Sequence, residues 1–359
     1  MNKTKKSGGI LGGIVLLIAG VCILWNNEGR TVKTQSAISE AKKTFIQVKS
    51  DKVDSKNEGK LIATKGKISE ESLDTLKDDI FGINVKAVKL KRNVEMYQWD
   101  EKCEDENDET KCTYDKVWTS ELLDSSEYTQ SNHNNPTDMP YESEEYYSDN
   151  VKMNAFTLPE NLIKQLSFDK KVGNEIITSQ YNNSKEDIKV DGKYLTNVKD
   201  EPQIGDIRIS YLYTTAKNVS VMGVQTDDSF EAFTSKKGED IYTIVEGSKT
   251  GIQILESMTK ANNNLKWFLR ILGTLLIIGG FGSMFSFITN LANKVPVLGN
   301  IVSGATGLVS FSLGLGLSLL IIAIAWFRFR PILSIVLIVV VAVLIVFLKI
   351  YGSKKEKTE

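Results

Sequence analysis

The sequence predicts a polytopic α-helical membrane protein with a large, mainly β ectodomain of the α+β class, held by one N-terminal span and three C-terminal spans. Two observations lead to this class. Long apolar segments are confined to the N-terminus and to residues 267–349, and each has roughly the twenty residues that a bilayer core requires. The polar region between them alternates apolar and polar residues with the period of a β-strand.

The first apolar segment, residues 8–26, is predicted to be a retained transmembrane anchor behind a short cytosolic N-terminus, residues 1–7. Lysines precede the apolar run, as they do in both cleaved signal peptides and signal anchors. The anchor is favoured because the run has no small-x-small cleavage site. A bacterial lipoprotein signal is disfavoured as well, because Val21 stands where a small residue is required before Cys22.

Residues 27–266 are predicted to form one lumenal or extracellular domain, without internal repeats. Apolar residues at spacings of three and four predict an amphipathic helix over residues 36–48. A second helix over residues 246–264 is expected to lead into the next span. The strand period of two is found in residues 61–66, 85–99, 113–119, 207–214, 219–226 and 241–245.

An acidic, Asn-rich stretch, residues 100–149, interrupts this β pattern and is expected to be loop in part. The carboxylates of residues 101–109 offer weak calcium ligands, but they lack the glycine and the ligand order of an EF-hand. A solvated acidic loop is the favoured interpretation. Cys103 and Cys112 in this stretch are predicted to form a disulfide on the non-cytosolic side, with two free thiols as the alternative.

The C-terminal block is predicted to contain three spans, residues 267–291, 301–327 and 332–349. A cytosolic turn (292–300), an outer turn (328–331) and a cytosolic tail (350–359) complete the topology. Core helices of a soluble protein are disfavoured, because Arg270 is the only charge within these segments apart from Lys349 at the very end of the last one. The lysine-rich tail supports a cytosolic C-terminus, whereas Arg328 and Arg330 contradict the outer turn. A re-entrant hairpin of the last two segments is the competing topology.

Small residues recur at intervals of four in the spans. Ser310, Gly314 and Ser318 form the longest such row and are predicted to be helix-packing residues. The row is expected to support self-association, and the alternative is that it seats the second span of the same chain. Shorter pairs are Gly8/Gly12, Gly9/Gly13, Gly279/Ser283 and Ser312/Gly316.

No catalytic, cofactor-binding or metal-binding residue is predicted. The net charge of −1 gives no basic field for nucleic acid. His133 is the single histidine, and no phosphate-binding loop, dinucleotide fingerprint or nucleophile elbow is present. Two alternatives stay open: a membrane-tethered hydrolase centred on His133, and a transporter or channel subunit. The second would need ionisable residues inside the spans, and mid-span positions lack them.

Several short motifs occur in a characteristic order. They are Asn27-Glu28-Gly29-Arg30, Val94-Glu95-Met96-Tyr97-Gln98-Trp99, His133-Asn134-Asn135-Pro136, Gly205-Asp206-Ile207-Arg208-Ile209-Ser210, Pro296-Val297 and Arg330-Pro331. Together with the layout of spans and ectodomain, they resemble the transmembrane protein 43 family, also called LUMA, over nearly the whole chain.

The resemblance implies a self-associating membrane organiser without catalytic residues. It implies the endoplasmic reticulum and inner nuclear membrane as compartment, with lamins and emerin-like proteins as partners, if the source is eukaryotic. In a bacterial source only the architecture carries over, and the compartment is the plasma membrane. The protein itself and membrane lipid are expected partners from either source, the β-rich ectodomain is expected to face a lumenal or extracellular partner, and nucleic acid is not expected.

Overall fold

The computed structural model describes residues 8–106, 109–182, 185–292, 298–332 and 334–335. Within them the chain forms two compact units. The helical unit comprises Met1–Thr44, Thr234–Ile241 and Leu255–Glu359, and the sheet unit comprises Phe45–Phe233 and Tyr242–Ile254. The predicted class is confirmed, because long apolar helices flank a region that is mainly sheet.

Five α-helices are present in the described residues: α1 (Gly8–Thr44), α2 (Glu160–Ile163), α3 (Asn174–Gln180), α4 (Gly251–Ala292) and α5 (Leu298–Phe329). Helices α1, α4 and α5 are long and apolar enough to cross a membrane. The predicted fourth span, residues 332–349, lies outside the described residues except at its first positions.

Eighteen strands are present in the same residues: β1 (Ile46–Gln47), β2 (Leu61–Lys67), β3 (Thr75–Lys77), β4 (Asn84–Lys86), β5 (Lys89–Glu106), β6 (Glu109–Thr119), β7 (Glu144–Tyr147), β8 (Lys152–Met153), β9 (Phe156–Thr157), β10 (Lys170–Lys171), β11 (Lys189–Asp191), β12 (Tyr194–Thr196), β13 (Ile207–Thr214), β14 (Asn218–Thr226), β15 (Ser229–Glu231), β16 (Phe233–Thr234), β17 (Asp240–Ile241) and β18 (Thr243–Glu246). Every segment with the predicted strand period contains at least one of them.

The strands form two main sheets and three two-stranded ones. The five-stranded sheet has the order β1-β2-β14-β15, with β18 also paired to β14. The seven-stranded sheet has the order β11-β12-β13-β5-β6, with β10 on β13 and β7 on β5. Each main sheet has its own buried apolar cluster, around Ile62 and Phe156 for the first, and around Leu90 and Tyr211 for the second.

Helix α1 does not end where the predicted anchor ends. Residues 27–44, assigned from the sequence to the ectodomain, continue the same helix, and the predicted amphipathic helix over residues 36–48 is its last part, ending at Thr44. The apolar spacing is real, because Ile38 and Ala41 are buried. The sequence between Trp25 and Ser36 contains no proline that would end a helix, and Gly29 alone costs only about 1 kcal/mol in a helix interior.

The acidic stretch after Trp99 is also more regular than expected. Strands β5 and β6 run through it as a long hairpin, so residues 101–106 and 109 are strand and not the expected loop. Glu104 and Asp115 of the hairpin are exposed, and Asp100 and Glu101 are half-buried, so strand pairing fully buries none of these charges. Charge content predicts exposure here, but it does not predict the absence of secondary structure.

Glycines set the packing of α1 against α4. A Cβ on Gly13 would lie 2.7 Å from the Gly280 carbonyl oxygen, and one on Gly20 would lie 2.7 Å from the Gly273 carbonyl oxygen. In both helices these glycines are seven residues apart, which is two turns, so each pair shares one face. The close approach of the two backbones therefore requires glycine at these positions.

Candidate functional site

The residues Asn27, Glu28, Gly29 and Arg30 form one turn of α1 directly after the apolar part of that helix. All four contact another part of the helical unit. Asn27 and Glu28 are buried, and so is Gly29. A helix that was only an anchor would turn such polar residues towards water, so this turn is the candidate functional site.

Glu28 is the centre of the site. Its side chain is fully buried, and one carboxylate oxygen, Oε1, accepts a hydrogen bond from Arg270 Nε at 2.6 Å. The other oxygen, Oε2, accepts a hydrogen bond from Trp326 Nε1 at 2.9 Å. These three residues belong to α1, α4 and α5, so one carboxylate joins all three long helices.

The pairing explains how a carboxylate is tolerated at this position. A charge transferred from water into a protein interior costs several kcal/mol unless it is paired and hydrogen-bonded. Arg270 supplies the opposite charge, and its guanidinium also lies 5.1 Å from the Trp267 ring and 5.6 Å from the Trp326 ring. Such cation–π contacts add stabilisation, more when they are desolvated.

A second set of hydrogen bonds joins α1 to α4 one turn further on. Asn27 Nδ2 donates to the Lys266 carbonyl at 3.0 Å, and Arg30 Nη1 donates to Asn262 Oδ1 at 2.9 Å. Asn262 Nδ2 in turn donates to the Thr31 carbonyl at 3.2 Å. The two helices are thus joined by side-chain amides as well as by the ion pair.

Gly29 completes the turn by steric fit. A Cβ at this position would lie 2.9 Å from Cζ of Phe329, so α5 can approach here only because the residue is glycine. Phe329 also packs edge-on against Trp25, with ring centroids 5.6 Å apart. Trp25, Trp267 and Trp326 therefore all lie near this turn, as expected of tryptophans at a membrane–water interface.

Chemically, the arrangement is suited to fastening helices together. Both oxygens of Glu28 are engaged, and its charge is balanced by Arg270 within the same cluster. Arg270 Nη2 is buried without a hydrogen-bond partner among the described residues, but neither oxygen of Glu28 is left free to accept a proton from a substrate. The site therefore favours a structural clamp over a reaction centre.

The predicted helix-packing row lies on the inward face of α5. Ser310 and Ser318 are buried, and a Cβ on Gly314 would lie 2.5 Å from Cγ1 of Ile278 in α4. The row therefore contacts the second span of the same chain, which is the arrangement that the alternative interpretation described. Gly12, Gly279 and Gly316, from the shorter pairs, have no atom within 4 Å of an added Cβ, so these three glycines are not points of close helix approach.

Cys103 and Cys112 lie directly opposite each other on β5 and β6 and are joined by a disulfide. Glu101 lies within 4.8 Å of both sulfur atoms, but disulfide sulfurs are not thiolate metal ligands. Glu101 instead accepts hydrogen bonds from the Tyr114 hydroxyl and from the Thr129 backbone N–H. The bond from Tyr114 is the main reason that the pKa of Glu101 lies below its usual value.

His133 lies in an aromatic environment in the sheet unit. Its ring stacks on Tyr114 at 3.9 Å and meets the edge of Trp99 at 4.4 Å. The Nδ1 atom is buried and has no hydrogen-bond partner among the described residues. In a catalytic triad this nitrogen would bond a carboxylate, so the geometry gives the hydrolase alternative no support.

Sequence reasoning missed a buried ion pair in the sheet unit. Arg92 and Asp78 are both buried and 2.7 Å apart. The second Asp78 oxygen accepts a hydrogen bond from the Tyr211 hydroxyl at 2.6 Å, and burial beside this carboxylate raises the Tyr211 pKa. Arg92 also bonds Glu144 and the Glu142 carbonyl. These residues are far apart in sequence, so no local pattern signals the cluster.

The sequence did contain an indication of the site on α1. Glu28 follows one apolar segment, and Arg270 lies near the start of the next, so antiparallel packing places opposite charges at the same depth. That inference needs a pairing of the spans, which the sequence alone leaves open.

The comparisons with known proteins agree with the layout. The family model described as transmembrane protein 43 matches residues 96–331. Transmembrane protein 43 of Rattus norvegicus is 27% identical over 332 residues, which cover 86% of this chain and 81% of the relative. The Homo sapiens protein of the same name is 26% identical over 331 residues, with the same coverage.

A transmembrane protein 43 homolog of Drosophila melanogaster is 25% identical over 303 residues, covering 80% of this chain and 79% of the relative. No solved structure matches the chain. The family match covers most of the sheet unit and extends through α4 and α5, and the helices are of spanning length. The chain is therefore an integral membrane protein that belongs to the transmembrane protein 43 family.

Proposed function

We propose that this protein is a non-enzymatic membrane scaffold. Its transmembrane helices are held together by buried contacts, and they present the β-rich domain to a binding partner. The observation that carries the proposal is the junction of Glu28, Arg270 and Trp326. Ionisable groups in transporters line a pathway and change partners during the cycle. Here the ion pair is closed on itself and joins three helices, which favours a static support.

Reconstitution tests the scaffold against the channel alternative. Liposomes that contain the purified chain should show the same ion flux as protein-free liposomes. The Glu28→Gln variant should not change that flux, because the carboxylate serves the bundle and not a pathway. Flux above the protein-free level that falls in Glu28→Gln would favour a channel.

Partner recovery tests the scaffold against the hydrolase alternative. Crosslinking in intact cells, followed by quantitative mass spectrometry, should recover a reproducible set of proteins with the parent chain. His133→Ala should recover the same set, because a scaffold does not need the imidazole for chemistry. If the parent hydrolyses an ester or amide substrate and His133→Ala does not, the proposal fails.

Self-association is a separate part of this proposal. The row of Ser310, Gly314 and Ser318 contacts α4 of the same chain, so an oligomer would use the lipid-facing side of the helices instead. Crosslinking in membranes should then give dimers with both the parent and Gly314→Leu. Monomers alone from the parent would remove self-association from the proposal.

The compartment and partners follow the family resemblance. In a eukaryotic cell we propose the endoplasmic reticulum and inner nuclear membrane, with lamins and emerin-like proteins as candidate partners. In a bacterium the plasma membrane takes this place. Immunofluorescence or membrane fractionation in the source organism tests the compartment directly.

A further inference from the structure

A cleft of about 520 Å³ opens beside α1 in the helical unit. Its walls change in character along the helix. Cys22, Ile23 and Leu269 line it where α1 is apolar, and Asn26, Arg30 and Lys33 line it where α1 becomes polar. A volume of this size is typical of sites that hold a small molecule.

Arg30 forms no salt bridge with any of the described residues, although the Glu239 carboxylate in the same cleft favours its charge. Its recorded hydrogen bonds go to Asn262 Oδ1, Asn27 Oδ1 and Thr31 Oγ1, all of which are neutral acceptors. Its Nε atom is buried, and no acceptor for it lies in the part of the chain that the structure describes. A partly buried guanidinium with an unmet donor is stabilised by an anion.

Lys33 adds a second cation to the same wall. It lies three residues after Arg30 and therefore on the same side of the helix. Of the described residues that line the cleft, Glu239 alone is acidic, so the formal charge of this lining is +1. A phosphodiester carries a charge of −1 and would balance it.

The position of the cleft indicates where such an anion comes from. Trp25 and Phe329 line the cleft, and Trp25 belongs to the group of tryptophans expected at the membrane–water interface. Phospholipid phosphates lie at this depth, and their acyl chains continue towards the bilayer centre. The apolar wall of Cys22, Ile23 and Leu269 provides a surface for a chain.

We propose that this cleft binds a membrane phospholipid, with its phosphodiester at Arg30 and Lys33 and an acyl chain along the apolar wall. The site is distinct from the clamp at Glu28, whose charges are already paired. It would give the protein a bound lipid at the surface where α1 leaves the membrane.

Native mass spectrometry of the full chain in nanodiscs tests the proposal, with phosphatidylglycerol as the added lipid. Lys33→Gln and Arg30→Gln should each weaken lipid binding roughly tenfold, the change expected for loss of one charge-assisted hydrogen bond. Lys42→Gln is the matched control, because Lys42 is exposed on the same helix and does not line the cleft. It should bind lipid like the parent.

Two further arms identify the recognised group. Diacylglycerol, which has no phosphate, should not be retained, and inorganic phosphate should not displace bound lipid at equal concentration. The proposal is overturned if Lys33→Gln binds lipid like the parent, or if diacylglycerol is retained as well. It is also overturned if Lys33→Gln, Arg30→Gln and the control Lys42→Gln all weaken lipid binding equally. Displacement by inorganic phosphate would assign the cleft to the free anion. Since Lys33 is exposed, its variant decides the question even if Arg30→Gln fails to fold.

Discussion

At the scale of single residues, the turn from Asn27 to Arg30 shows how a short motif acquires its composition. Asparagine donates to α4 and accepts from Arg30 within α1, glutamate accepts from two other helices, and glycine leaves room for Phe329. Each role depends on a different property: two-sided hydrogen bonding, charge and the absence of a side chain. A substitution at any one of these positions would therefore disrupt the contact with one specific neighbouring residue.

Glu28→Gln should lower the free energy of unfolding of the helical unit by about 3–5 kcal/mol, because it leaves the Arg270 charge in the bundle without a counterion. Thermal unfolding in a fixed detergent measures the loss. The double variant Glu28→Gln/Arg270→Gln should recover part of it, since no unpaired charge then remains.

Glu256→Gln is the matched control for that measurement. Glu256 lies on α4 and is exposed, so its replacement should change stability by less than about 0.5 kcal/mol. If Glu28→Gln and Glu256→Gln unfold at the same temperature as the parent, the ion pair contributes nothing to holding the helices together.

Tyr211→Phe tests the buried pair of Asp78 and Arg92 in the sheet unit. The substitution removes the 2.6 Å hydrogen bond to Asp78 and leaves one oxygen of a buried carboxylate without a donor. We expect a loss of about 1–3 kcal/mol in unfolding free energy. Tyr213→Phe, two residues along the same strand and only half-buried, is the control, and a loss of the same size there would contradict the assignment.

At the scale of elements, the strands and the apolar helices were the parts that the sequence predicted well. The predicted segment of residues 207–214 and strand β13 coincide, because the alternate residues Ile207, Ile209 and Tyr211 are buried in one apolar cluster. Helix packing was predicted less well. Rows at intervals of four were identified in α1 and α4, whereas the glycines that actually meet are seven apart, a spacing that becomes meaningful only once α1 and α4 are paired.

Gly20→Ala should destabilise the bundle by about 1–3 kcal/mol, because its Cβ would lie 2.7 Å from a backbone oxygen that cannot move away without separating the helices. Gly12→Ala is the control, with nothing within 4 Å of the added Cβ. It should be neutral or stabilising by up to about 1 kcal/mol, because alanine is the better helix former. Thermal unfolding of the two variants side by side should give shifts of opposite sign, and equal shifts would contradict the packing.

At the scale of the whole molecule, the order of the elements along the chain determines which helices lead into and out of the sheet unit. Helix α1 enters the sheet unit at residue 45, and α4 leaves it after residue 254, so the sheet unit is inserted between two spanning helices. Both connections must then lie on one side of the membrane. The number of later spans decides on which side the C-terminus lies, and this part of the chain, from residue 336 onward, is outside the described residues.

The last prediction addresses that topology. With four spans both termini are cytosolic, so a cysteine placed by Ser353→Cys should react with a membrane-impermeant thiol reagent only after cells are permeabilised. The lysines of the tail favour this side, because positively charged segments resist translocation. The experiment needs the Cys22→Ala background, since Cys22 is a free and exposed thiol, whereas Cys103 and Cys112 are bonded to each other. A cysteine placed by Ser126→Cys in the sheet unit provides the opposite case. It should react in intact cells if the domain is extracellular. If the domain is lumenal, it should react only after both the plasma membrane and the organelle membrane have been opened. Labelling at residue 353 before permeabilisation would mean an odd number of spans. A re-entrant hairpin of the last two segments would leave the tail cytosolic, because a hairpin returns to the side from which it enters.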